Sequence, residues 1–131
     1  AKSKKNVIRG LHFQLKDKQT KFIYVTDGKI LDVVVNLKKN SKFFSKVSKF
    51  ILSEGEALFI PSHYAHGYEC LTEKCSVLYH LEKYRNVKYE SGMQFNDQKL
   101  KIKWKTKKPI LSKRDKNHIS FEQFKKIHKT L

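Results

Sequence analysis

The sequence predicts an all-β fold, a sandwich or barrel, and three observations carry that expectation. Short apolar runs recur along the 131 residues. Turn-forming residues separate them at close, regular intervals, and only the C-terminal end has a helical pattern. The length suits a single domain, 1–131, with one core.

The first run is Val7-Ile8, followed by Arg9-Gly10-Leu11-His12-Phe13-Gln14. Read with the period of a strand, Ile8, Gly10, His12 and Gln14 point to one side and Val7, Arg9, Leu11 and Phe13 to the other. Residues 22–25 form a compact β-rich run that ends at Thr26-Asp27-Gly28-Lys29, and Asp-Gly between two apolar runs is a hairpin signal. Residues 30–37 (ILDVVVNL) read as a long buried strand, 38–42 as a polar loop, and 47–52 as another strand. Ser53-Glu54-Gly55-Glu56 makes a turn, and 57–60 is a short strand stopped by Pro61. After a turn at 62–67, residues 68–71 and 76–81 read as further strands. The helix is expected at the end, with Ser120 as N-cap, Glu122 and Gln123 in the first turn, and Phe121, Phe124, Ile127, His128 and Leu131 on one face.

A hydrophobic fraction of 39%, with nine Phe, six Tyr and one Trp, argues for a folded chain rather than a disordered one. No apolar run approaches the ~18 residues of a transmembrane helix, and no signal segment opens the chain. Cys70 and Cys75 lack CxxC spacing and read as free thiols or a local disulfide, the former fitting a cytoplasmic protein. An opening at Ala1, without methionine, is what a removed segment or an excised core would give. Net charge is +17, from 29 Lys and Arg against 12 Asp and Glu. The lysines are spread throughout and most simply form a solvated surface, so a nucleic-acid partner is not expected. Attraction of a small phosphate ester is the other use of such a charge.

His12 and Arg9, beside a glycine that permits close approach, are suited to an anion-binding acid–base site. His12 could act as a base near neutral pH, Tyr79 as a proton donor or acceptor, and Lys21 and Arg9 as stabilisers of an oxyanion. His63 and His66, at H-x-x-H spacing on a turn, are no closed zinc pattern, and the HxH…E arrangement of metal-binding cupin barrels is absent, so no metal is expected.

Arg9–Gln14 (RGLHFQ), Gln19-Thr20-Lys21, residues 28–37, Ile60-Pro61 with Ala65-His66-Gly67, Tyr79, Asn96-Asp97, Ile102-Lys103-Trp104 and Leu111-Ser112-Lys113-Arg114-Asp115 form a specific combination in order and spacing. In these residues the chain resembles the dTDP-4-dehydrorhamnose 3,5-epimerase family, nearly throughout to Asp115. The resemblance implies a cupin-type jelly roll with a short C-terminal helix, a homodimer, and a nucleotide-sugar substrate with no cofactor. It implies His12 as the base that removes the proton next to a 4-keto group, and Asp115 as the carboxylate that orients it. Tyr79 would be the acid on the opposite face, with Lys21 and Arg9 near the enolate oxygen or the phosphates. His66 and Gln14 would contact substrate, and Tyr84 would lie beside the nucleotide base.

The chain departs from the family at several points. Asn36 and Lys38 replace a more usual Asp and Arg, Lys105 replaces the Pro that often follows Trp104, and Ser62-His63-Tyr64 replaces Glu-Gly-Phe at the border of the expected pocket. The family's N-terminal segment, which contributes strands and nucleotide contacts across the dimer, is missing before Ala1. The implied activity inverts C3 and C5 of a dTDP-4-keto-6-deoxy sugar on the route to dTDP-L-rhamnose or a related deoxysugar. The rivals are a C3-only epimerase and a catalytically silent cupin-type module that binds polyanions.

Overall fold

A computed structural model describes residues 1–16, 18, 20–81 and 87–128. Among the described residues nine strands form two antiparallel sheets: β1 (Lys2–Lys4), β2 (Ile8–Gln14), β3 (Lys21–Asp27), β4 (Lys29–Asn36), β5 (Val47–Ser53), β6 (Ala57–Ile60), β7 (Tyr64–Cys70), β8 (Lys74–Leu81) and β9 (Glu90–Gly92). The four-stranded sheet has the order β1-β8-β3-β6, and the five-stranded sheet β5-β4-β7-β2-β9. Two short helices follow, α1 (Lys113–Lys116) and α2 (Phe121–Ile127). The all-β sandwich expected of the cupin type is thus what the chain forms. No helix among the described residues is long and apolar enough to cross a membrane.

At β4 the five-stranded sheet is buried on both faces, which explains why 30–37 is so continuously apolar. On β4, Ile30, Asp32 and Val34 face the second sheet, while Leu31, Val33 and Val35 face away from it. Between the sheets lie Ile23, Val25, Val34, Leu52, Ile60 and Val77. On the far face, Leu11, Phe13, Leu31, Val33 and Val35 pack beneath Phe121 and Phe124 of α2. Phe124 meets Phe13 edge-on at 5.2 Å. The helix has the expected Ser120 cap, completed into a capping box by Gln123. Ile127, expected on its buried face, is exposed; His128 packs on Phe13 and Phe124, and Leu131 lies outside the described residues.

Three local expectations are corrected. Asp27-Gly28 is no hairpin turn, because β3 pairs with β6 and β8 whereas β4 pairs with β5 and β7. Gly28 carries the chain from one sheet to the other at φ +76°, where a Cβ would come within 2.3 Å of the Lys74 carbonyl oxygen. The segment 64–67 is strand rather than turn, since Ala65, His66 and Gly67 pair with Val35, Val34 and Val33. On β2 a bulge between Arg9 and His12 resets the alternation. Leu11 and Phe13 then face the helix, and Arg9, His12 and Gln14 line one cavity.

That bulge is fixed by two glycines packed against each other. A Cβ on Gly10 would lie 2.7 Å from Gly67 Cα, and one on Gly67 would lie 2.7 Å from the Arg9 carbonyl oxygen. Cys70 and Cys75 are buried free thiols. Burial, with Cys70 beside it, pushes the Cys75 thiol up to about 12.

Candidate active site

The sandwich interior is apolar at one side and hollow at the other, where a cavity of about 360 Å³ opens to solvent. Of the eight residues singled out from the sequence, seven line it: Arg9, His12 and Gln14 from β2, Lys21 from β3, His66 from β7, Tyr79 from β8, and Asp115 from α1. Tyr84 lies outside the described residues. Ser62 and Tyr64 border the cavity as expected, whereas His63 does not line it; its ring lies against Tyr64, 4.7 Å between centroids.

Asp115 is brought to His12 by the single turn of α1, whose N-cap Ser112 accepts from the Asp115 N–H at 3.1 Å. Its Oδ1 lies 2.6 Å from His12 Nε2, and its Oδ2 accepts the Gly10 N–H at 3.2 Å. A second histidine, His118, puts its Nε2 2.9 Å from the same Oδ1. Burial alone would push the Asp115 carboxyl up, but the hydrogen bond and charge of His12, then the bonds from His118 and Gly10, outweigh it and hold the group at about 2. Asp115 is therefore a carboxylate at neutral pH, fit to orient an imidazole.

The other histidine of the cavity has its own carboxylate. His66 Nε2 lies 2.6 Å from Asp32 Oδ2, with both residues buried. Burial raises the Asp32 carboxyl above its ordinary value, opposed by His66 and by the charge of Lys21, which places that ammonium near the pair. Tyr79 is 40% exposed as a residue, and its hydroxyl lies beside Tyr68 and Asp32. Burial first, then Tyr68 and the Asp32 charge, push the phenol well above 10, so Tyr79 keeps its proton at neutral pH. Arg9 is held by Ser3 Oγ, which accepts from Nε at 2.9 Å, and by the Lys2 carbonyl, which accepts from Nη2 at 3.0 Å.

Two residues escaped the sequence reading. Asp32 was hidden in an apolar strand, yet a carboxylate at the centre of ILDVVVNL is itself a signal, because such a group must find a buried partner. His118 carries no such signal; its approach to Asp115 depends on the irregular backbone after α1. His12, Asp115 and His118 offer three ligand atoms within 4.8 Å of one another, enough donors for a cation. The 2.6 and 2.9 Å separations are those of hydrogen bonds that aim both imidazole nitrogens at one oxygen.

Fold and cavity together define a cupin-type protein with a polar, acid–base-equipped pocket between its sheets. The sequence profile of the family described as dTDP-4-dehydrorhamnose 3,5-epimerase matches residues 1–123, and the chain belongs to that family. It is 35% identical over 120 residues to the dTDP-4-dehydrorhamnose 3,5-epimerase of Methanothermobacter thermautotrophicus, covering 88% of this chain and 65% of that protein. The chain thus spans about two thirds of the length of the curated relatives it matches. Among solved structures it superposes on the Bacillus anthracis dTDP-4-dehydrorhamnose 3,5-epimerase, which has TDP and PPi bound, with a TM-score of 0.88 and 38% identity, over 92% of this chain and 71% of that one. A Legionella pneumophila dTDP-6-deoxy-D-glucose-3,5-epimerase in complex with dTDP-4-keto-L-rhamnose gives 0.87 and 30%, over 92% and 65%.

Proposed function

We propose that this chain inverts the carbons flanking the ketone of a dTDP-linked 4-keto-6-deoxy sugar, as a step toward dTDP-L-rhamnose or a related deoxysugar. The observation that carries the reading is the placement of two proton-transfer groups on facing sheets of one cavity: His12 with its carboxylate on β2, and the proton-holding Tyr79 on β8. Inversion requires a proton to leave one face of the sugar carbon and another to arrive on the opposite face, and a base and an acid on opposing walls can do that. A proton next to a ketone is too weakly acidic for imidazole unless the enolate oxygen is stabilised. Lys21, or Arg9, would supply the cation, a contribution of ~3–4 kcal/mol in comparable oxyanion sites. The chemistry needs no redox cofactor.

The dTDP preference rests on the relatives, two of which hold TDP or a dTDP-sugar in their structures. Among the described residues, Arg9 and Arg114 bring guanidinium groups to the cavity, and these suit a diphosphate. Residues 1–131 would act as one domain of a cytoplasmic homodimer. The outer face of the four-stranded sheet is the surface offered to a second copy, with Phe22, Tyr24, Phe59 and Leu78 exposed together on it. The curated relatives do not favour the polyanion-binding module.

The test is NMR of dTDP-4-keto-6-deoxyglucose with the protein in D₂O. Deuterium should enter at both C3 and C5; entry at C3 alone would replace the reading by the C3-only epimerase, and no exchange would overturn it. His12→Ala should slow exchange by ~10²–10⁴-fold, and Tyr79→Phe should allow exchange while blocking inversion, with circular dichroism unchanged in both.

A further inference from the structure

We propose that His118 is a positioning residue of this site, acting through Asp115 to fix which nitrogen of His12 faces the substrate. The proposal rests on the epimerase reading for its kinetic consequence, but its structural part stands by itself. Asp115 Oδ1 can only accept hydrogen bonds while the carboxylate is ionised, and two imidazole nitrogens point at it, His12 Nε2 at 2.6 Å and His118 Nε2 at 2.9 Å. Both Nε2 atoms must therefore carry their protons. For His12 this leaves Nδ1 as the nitrogen with a free lone pair, the one able to take a proton.

The surroundings of His118 are shaped to hold its ring there. His12 pairs across the β2–β9 ladder with Gly92, and the His118 ring occupies the space that a side chain at position 92 would fill. A Cβ on Gly92 would fall within 2.5 Å of His118 Cε1 and Nε2. The ring stands edge-on to His12, 5.7 Å between centroids at 81°. Just beyond it, Ile119 bridges to Met93 and its carbonyl accepts the Gln94 N–H at 2.9 Å, which ties the His118 backbone to β9.

These contacts determine the carboxylate's orientation. The Gly10 N–H holds Oδ2, so the plane of Asp115 is set by three donors arriving from β2 and from the segment after α1. Without His118, Oδ1 keeps one donor on one side, and the carboxylate can rotate about its last bond to follow His12. With His118 in place it cannot, and His12 is held in one tautomer and one tilt. Misplacement of a reacting group by about 1 Å can cost on the order of 100-fold in rate.

The experiment compares wild type, His118→Phe, His118→Gln and Gly92→Ala. The first readout needs no substrate: the ¹⁵N and ¹H signals of the His12 ring, which report its tautomer. The second is the kcat and KM for deuterium exchange into dTDP-4-keto-6-deoxyglucose. His118→Phe should turn a pure Nε2–H tautomer of His12 into a mixture and lower kcat roughly 10-fold while KM moves less than about twofold. Glutamine, whose amide nitrogen reaches the place of Nε2, should restore both. Gly92→Ala displaces the ring with the histidine still present, should resemble His118→Phe, and serves in its place if the phenylalanine variant does not fold. An unchanged His12 tautomer and kcat in the displaced variants, or a glutamine that restores neither, would overturn the proposal. Absence of exchange by the wild type would instead overturn the epimerase reading, and the tautomer comparison would still decide the role of His118.

Discussion

Asp115 takes its three hydrogen-bond donors from residues as much as 105 positions away, and its titration should dominate the acid side of the stability curve. Its folded value of about 2 lies below the ordinary 3.8. A lowered carboxyl contributes stability that is complete above the ordinary value and is lost as pH falls through the folded one, here roughly 2 kcal/mol. Asp32 acts with the opposite sign, because its raised carboxyl contributes stability at low pH and loses it as pH rises past 3.8 toward the folded value. Urea unfolding between pH 5 and pH 2 should therefore be shallower in Asp115→Asn than in wild type and steeper in Asp32→Asn; equal slopes in all three would contradict these assignments. At this scale RGLHFQ and Asp115 were legible because motif and chemistry coincide. The partner of His66 was not, because nothing in the spacing of residues 32 and 66 says that β4 and β7 are neighbours.

At the scale of elements, the far face of the five-stranded sheet depends on how α2 is moored. Asp97 is buried, and its Oδ2 accepts the Phe121 N–H at 2.8 Å while Oδ1 accepts from Lys99 N at 2.8 Å and Leu100 N at 3.3 Å. Glu69 does the same for the preceding stretch, accepting from Lys105 N and Thr106 N at 2.7 and 3.0 Å. Asp97→Ala should cost roughly 1–3 kcal/mol in urea unfolding through unpaired N–H groups, and Asp97→Asn less. A loss below ~0.5 kcal/mol would show that water replaces the carboxylate. The strands themselves were readable from alternation and turns, but their partners were not. Asp27-Gly28 has the composition of a hairpin because a reversal and a crossing both need a residue at positive φ, and only tertiary packing separates the two. The short strands β1 and β9 and the single turn α1 were illegible for a simpler reason: three or four residues carry no periodicity.

For the molecule as a whole, the proposed homodimer brings together two surfaces of like charge, since each chain carries +17. The face suggested for contact is apolar, with Phe22 44%, Tyr24 40%, Phe59 62% and Leu78 58% exposed. Apolar burial would drive association, and long-range repulsion would oppose it with a range of ~10 Å at 0.1 M salt. Added salt should therefore tighten the dimer in sedimentation experiments, the reverse of what an ion-paired interface would do. Phe59→Asp with Leu78→Asp should give monomers with unchanged circular dichroism; a persistent dimer would place the interface elsewhere.

His12 and Asp115 are separated by 103 positions, one on β2 and the other on the helical turn α1. During synthesis the histidine leaves the ribosome long before the carboxylate that orients it. A nascent copy with all its strands in place would still carry an unaligned imidazole. The imidazole gains its orientation only once α1 has been made and has docked against β2.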